Sequence, residues 1–145
     1  MDFEQELDCC LENFFSIIKN YENLPKYLPR QLQSIEVLKK ENNKTIIKCT
    51  IMFKTLVKKE ISQNIEINEQ NNILEIKVLD GHAKDTEINL SIKNSLEKIT
   101  VNVKVDLKLS LKAKILSPII KREYKSLLRG VFAKMVIDGK KMSEN

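Results

Sequence analysis

The chain has no tryptophan, one histidine, three cysteines, three glycines and three prolines among 145 residues. Cys9 and Cys10 are adjacent and Cys49 stands alone, an odd set without spaced pairs, so a disulfide framework is excluded. A metal site needs spaced Cys or His ligands, and His82 is the only histidine; no metal ligand and no cofactor is expected. No Gly-rich phosphate loop, paired His-Glu metal motif or nucleophile elbow is present, so no catalytic residue is assigned. Few glycines and prolines imply short connections, and the length suits one domain over residues 1–145. No apolar run approaches the ~20 residues that cross a bilayer, so no transmembrane segment is expected. The acidic start MDFEQELDCC lacks the apolar stretch of a signal peptide, so the expected location is cytoplasmic.

Hydrophobic residues make up 42% and charged residues 31%, the balance of a folded globular chain. The net charge is +5, from 25 basic and 20 acidic residues. That excess permits peripheral contact with an anionic membrane surface, or with RNA or a ribosome. It establishes neither, because the charges are dispersed and lack the aromatic interleaving of single-strand binders.

Period-two alternation dominates the chain. Phe3, Leu7 and Cys9 share a face with Gln5, opposite Asp2, Glu4, Glu6 and Asp8, which predicts a first strand. Leu11, Phe14, Phe15 and Ile18 recur at helical spacing. Pro25 and Pro29 bracket a very short second helix over 23–28. From Leu32 to Leu111 about six strands follow. Their turns fall at Asn42-Asn43, at Glu69–Asn72, at Asp80-Gly81 and at Asn94-Ser95. Ile99, Val101, Val103, Val105, Leu107, Leu109 and Leu111 are seven in-phase apolar residues, so one sheet face is apolar and the other solvated. Ser117-Pro118 is an N-cap with proline at the first helical position. A helix is predicted from there to about Ile137, with Ile120, Tyr124, Leu127, Leu128, Val131 and Met135 as its apolar stripe and Gly139 as its stop. The fold class is α+β: a curved antiparallel sheet of about seven strands wrapped around a long C-terminal helix, with two short helices after the first strand.

This order resembles the helix-grip domains of the START-like (SRPBCC) superfamily, and it is most similar to the coenzyme Q-binding and polyketide cyclase/dehydrase and lipid transport group. The resemblance covers nearly the whole chain. It is carried by Tyr21-Glu-Asn-Leu-Pro-Lys-Tyr-Leu-Pro29, by Val78-Leu-Asp-Gly-His-Ala-Lys-Asp85, and by Val105-Asp-Leu-Lys-Leu followed by Leu116-Ser-Pro-Ile and the long helix. Members often carry a tryptophan after the Asp-Gly turn; here Ile88 occupies that region. The resemblance implies a cavity-forming domain that holds a lipid, quinone, polyketide or other apolar molecule. Some members catalyse cyclisation or dehydration, and one bacterial branch is linked to ribosomes.

In-phase residues that face such an interior are Ile51, Phe53, Ile61, Ile76, Val78, Leu90, Val103 and Val105 on strands, and Leu127, Leu128 and Val131 on the helix. Periodicity does not separate a cavity from a solid core. Lys59 and Gln63 fall in phase with Val57, Ile61 and Ile65, and Tyr124 lies on the helix stripe. These three are the polar groups able to orient one end of an apolar ligand. His82 belongs at a turn or rim; acid–base chemistry there needs a partner. Gly130 interrupts the helix at a cost of ~1 kcal/mol against alanine, which a close helix–sheet approach, a hinge for ligand entry or neutral drift would explain. Non-catalytic binding or carriage is the leading function, ahead of a cyclase-type enzyme and of a ribosome- or RNA-associated module.

Overall fold

In the computed structural model, which describes residues 2–53, 59–96 and 98–144, the strands join into one antiparallel sheet. The elements are β1 (Asp2–Leu7), α1 (Leu11–Ile18), a 3-10 helix (Tyr21–Lys26), β2 (Leu32–Glu41), β3 (Lys44–Phe53), β4 (Lys59–Gln70), β5 (Ile73–Val78), β6 (Glu87–Ser95), β7 (Lys98–Asp106), α2 (Leu111–Lys114) and α3 (Ser117–Glu144). The seven strands run in the order β1-β7-β6-β5-β4-β3-β2, and α3 lies against the concave face. This is the α+β helix-grip architecture.

Turn chemistry fixes the hairpins. Asn42 (φ 42°) and Asn71 (φ 48°) take left-handed backbone, which asparagine tolerates and two-residue hairpins require. Gly81 does the same at φ 81°. Beside it, Asp80 accepts hydrogen bonds from the Asn64 backbone N–H and side-chain amide, both at 2.9 Å. The Asp-Gly corner is thereby tied to β4. Register then stacks like faces: Ile51 opposite Ile61, Cys49 opposite Gln63, Ile47 opposite Ile65.

β2 departs from strict alternation. Register shifts between Leu32 and Ser34 and between Val37 and Lys39 are bulges that bend the strand. The first lets Leu32 and Ile35, three residues apart, meet Ile51 and Cys49 on one face. On the open edge, the Val37 backbone N–H donates to the Glu22 carboxylate at 3.3 Å.

Several boundaries differ from the sequence pattern. β1 ends at Leu7, short of Asp8 and Cys9. Asn94 and Ser95 stay paired in β6, opposite Ile99 and Lys98, so the turn comes after them, where Leu96 takes left-handed backbone (φ 51°). The short helix is a 3-10 turn at Tyr21–Lys26, because the Asn23 N–H bonds back to the Asn20 carbonyl (3.1 Å) and so starts it earlier. β7 ends at Asp106 although alternation continues to Leu111. Its last paired residue is Asp106, opposite Glu87, and beyond it a side chain takes over: the Thr86 hydroxyl donates to the Lys108 carbonyl and accepts from the Lys108 N–H, both at 3.0 Å. α3 runs through Gly139 instead of stopping there. A Cβ at Gly139 would stand 3.0 Å from Cys9 Cβ, so glycine permits the approach of α3 to the β1–α1 link, and the Asn13 amide caps the Gly139 carbonyl at 3.0 Å. Gly130 serves a similar purpose, though not toward the sheet as expected: a Cβ there would fall 2.5 Å from Leu28 Cδ1, so the close approach is to the segment after the 3-10 helix.

Candidate functional site

α3 is held off the middle of the sheet by its own packing at one end. Phe132 is buried against Phe14 of α1, ring centroids 6.0 Å apart, and Met135 is buried beyond it. In the opposite direction Leu127 and Leu128 are only half-buried. Between them and the sheet lies a cavity of about 140 Å³.

Its floor is the concave face: Leu32 and Ile35 of β2, Ile47, Cys49 and Ile51 of β3, Gln63, Ile65 and Ile67 of β4, Leu74 and Ile76 of β5, Ile88 and Leu90 of β6. Its roof is Tyr124, Leu127, Leu128, Val131 and Phe132 of α3, and one side is Ile18, Tyr21 and Leu24. Among the described residues no charged side chain lines it.

Three polar groups interrupt the hydrocarbon. Gln63 is 5% exposed, and its amide donates to the Tyr124 hydroxyl at 3.4 Å. Burial pushes the Tyr124 phenol above its ordinary value, opposed by that hydrogen bond. Cys49 faces Gln63 across the hairpin, and burial drives its thiol up to about 12. The Phe53 ring meets Tyr124 edge-on at 6.1 Å, fixing the phenol's tilt. Tyr21 contributes only ring carbon, since its hydroxyl donates to Glu69 at 2.5 Å, and Glu69 is paired with Lys19. Burial first, then Glu69, raises the Tyr21 phenol. At neutral pH the wall therefore offers an amide, a phenol and a thiol, all uncharged. Such a set can hydrogen-bond a hydroxyl or carbonyl; it is poorly suited to exchanging protons.

Of the residues expected at the site, Ile51, Gln63, Ile76, Leu90, Tyr124, Leu127, Leu128 and Val131 line the cavity. Phe53 touches it only through Tyr124, and Ile61 is half-buried off the wall. Val103 and Val105 are buried in the core but lie off the cavity wall. Val78, 1% exposed, packs under the Asp80–Thr86 corner, which bonds to its backbone at both groups. The Lys59 side chain and Val57 lie outside what the structure describes. His82 is exposed, and its Nδ1 is 2.8 Å from the Ser110 hydroxyl, away from the cavity. The wall also takes in Ile47, Cys49, Ile65 and Ile67, which the phase of Ile51 and Gln63 and the hairpin register through Asn42 bring to the same face. Ile18, Tyr21 and Leu24 had no local signal, because α1 and the 3-10 helix reach the wall only through tertiary packing. Among the described residues no cluster of His, Cys, Asp or Glu is arranged to hold a metal, and no helix is long and apolar enough to cross a membrane.

A sequence profile of the pathogenesis-related protein Bet v 1 family matches residues 2–99. In fold the chain is similar to major latex-like protein 151 from Panax ginseng, with a TM-score of 0.75 and 12% identity over 96% of this chain and 95% of that one. It is also similar to the Zhui aromatase/cyclase from Streptomyces sp. R1128 (TM-score 0.74, 6% identity, 97% and 92% covered). A START superfamily protein from Mycobacterium smegmatis gives a TM-score of 0.67 at 15% identity, with 91% and 95% covered. At these identities the likeness concerns fold alone. No curated protein matches the sequence itself.

Proposed function

This chain belongs to the Bet v 1 family, and from that premise we propose that it binds or carries a neutral apolar small molecule without transforming it. The ligand class is a lipid, a quinone or another largely hydrocarbon molecule with one hydroxyl or carbonyl end. The observation that carries this reading is the cavity wall: hydrocarbon throughout except for the Cys49, Gln63 and Tyr124 group. A largely apolar cavity of this size has room for a ring-sized molecule; an engineered cavity of ~150 Å³ holds benzene. Gln63 and Tyr124 supply the few placed polar atoms that orient a ligand. A longer hydrocarbon requires α3 to move outward at Leu127 and Leu128, which are only half-buried.

A cyclase-type enzyme is the second reading, favoured by the convergence of Gln63 and Tyr124 on the cavity. Binding is preferred because glutamine does not titrate and burial raises the Tyr124 phenol further from neutrality.

Native mass spectrometry of gently purified protein, with thermal shifts for toluene, p-cresol and benzoate, tests the proposal. Stabilisation by the two neutral rings and none by the carboxylate is expected, since a ligand that binds only the native state raises its melting temperature. The proposal is overturned if none of the three shifts the melting temperature and the protein carries no apolar adduct.

A further inference from the structure

Between the end of β7 and α3 the chain is apolar and basic at once. From Leu107 to Arg122 there is no aspartate or glutamate. Leu111 is 86% exposed and Ile115 84%. They stand four residues apart across α2 and its C-cap, where Ile115 keeps helical backbone (φ −64°, ψ −25°), so they project from one face. Lone exposed aliphatic residues are ordinary. Here the exposure coincides with charge of a single sign: Lys112, Lys114, Lys121 and Arg122 are exposed around them, and among the described residues no carboxylate pairs with these four.

We propose that this face docks on an anionic lipid bilayer, with Leu111 and Ile115 entering the headgroup–acyl boundary and the four cations meeting lipid phosphates. Both halves of the arrangement fit that occupant: aliphatic chains gain by burial in the interface, and basic residues gain from the negative surface potential. RNA fits less well, because no aromatic ring stands in this segment for a base to stack on. A second copy fits less well again, because it would press eight like charges together. The proposal stands independently of what the cavity holds, although Tyr124 lies only about two turns further along α3.

The test is sedimentation of the full chain with phosphatidylcholine vesicles and with mixed phosphatidylcholine–phosphatidylserine vesicles, at low and high salt. Binding is expected to the anionic vesicles only, weakening with salt. The double variant Leu111→Ser/Ile115→Ser is expected to lose roughly tenfold or more in affinity. Lys112→Glu/Lys114→Glu is expected to lose at least about 25-fold, at about fivefold per cation removed. Both variants change exposed side chains and keep the wild-type circular dichroism and melting temperature. The proposal is overturned by equal binding to neutral vesicles, by no vesicle binding, or by variants that bind as well as wild type. Salt-sensitive RNA binding without vesicle binding overturns it too, as does concentration-dependent dimerisation abolished by Leu111→Ser/Ile115→Ser.

Discussion

Ile76→Phe separates a hollow interior from a filled one. Ile76 sits on a central strand opposite Ile67 of β4 and Ile88 of β6, with its in-phase neighbours Leu74 and Val78 at 2% and 1% exposure. It is nevertheless half-buried, because its side chain fronts the cavity. Phenylalanine adds about three carbons to that space. Transfer of three carbons is worth about 2 kcal/mol, and filling roughly 25 Å³ of void returns about 0.6 kcal/mol. Imperfect ring fit and lost rotamer freedom offset about half of this, leaving a net gain of about 1 kcal/mol. For a chain of this length that raises the melting temperature by about 3–4 °C. The assay is thermal unfolding by circular dichroism, with toluene binding measured on the same preparation, where at least a tenfold loss is expected. A packed interior would instead pay about 1–3 kcal/mol for overpacking. A melting temperature lowered by several degrees, with toluene affinity unchanged, would refute the reasoning.

Tyr124→Phe removes the hydroxyl that accepts from Gln63; p-cresol affinity is expected to fall about tenfold, as for one hydrogen bond of ~1.4 kcal/mol, while toluene affinity holds. Isothermal calorimetry of both ligands checks this, and equal losses would count against an orienting role. All three tyrosines are raised above their ordinary value of 10.0, Tyr21, Tyr27 and Tyr124 alike, with burial the largest cause in each. A raised folded value means the native state keeps protons that the unfolded chain releases, so this stabilisation is full below about pH 10 and is lost as pH rises toward the folded values. Phenolate absorbance is expected to appear together with alkaline unfolding; a tyrosine titrating near pH 10 in a native protein contradicts it. Burial pushes the thiols of Cys9 to about 11 and Cys49 to about 12, so a disulfide reagent at pH 8 should label Cys10 quickly and the other two only on unfolding; rapid labelling of all three would show an open interior.

How much was legible in the sequence follows from what alternation encodes. Ile99 to Val105 announced a strand with one buried face, and Ser117-Pro118 announced α3, because both signals are local. Where β7 stops is set by the reach of β6 and by the Thr86 hydroxyl, neither of which is local to Leu107. Gly139 looked like a terminus because its contact, Cys9, is 130 residues away in sequence. The cavity was less legible than the fold. Ile51 and Val103 have the same phase and the same chemistry, yet one lines the void and the other does not; the distance between α3 and each strand decides it. Gln63 was recognisable because a polar residue in an apolar phase is a local anomaly.

The bulged β2 edge has a consequence for how copies of this chain meet. Seven amphipathic strands in an unclosed sheet leave an outermost strand able to template further pairing. Two register shifts kink that rim, the Val37 N–H is already occupied by Glu22, and Lys39, Lys40 and Glu41 stand exposed at its end. An incoming strand meets a bent, partly satisfied and charged border. The irregularity that turns Leu32 and Ile35 inward thus also guards against fibril growth.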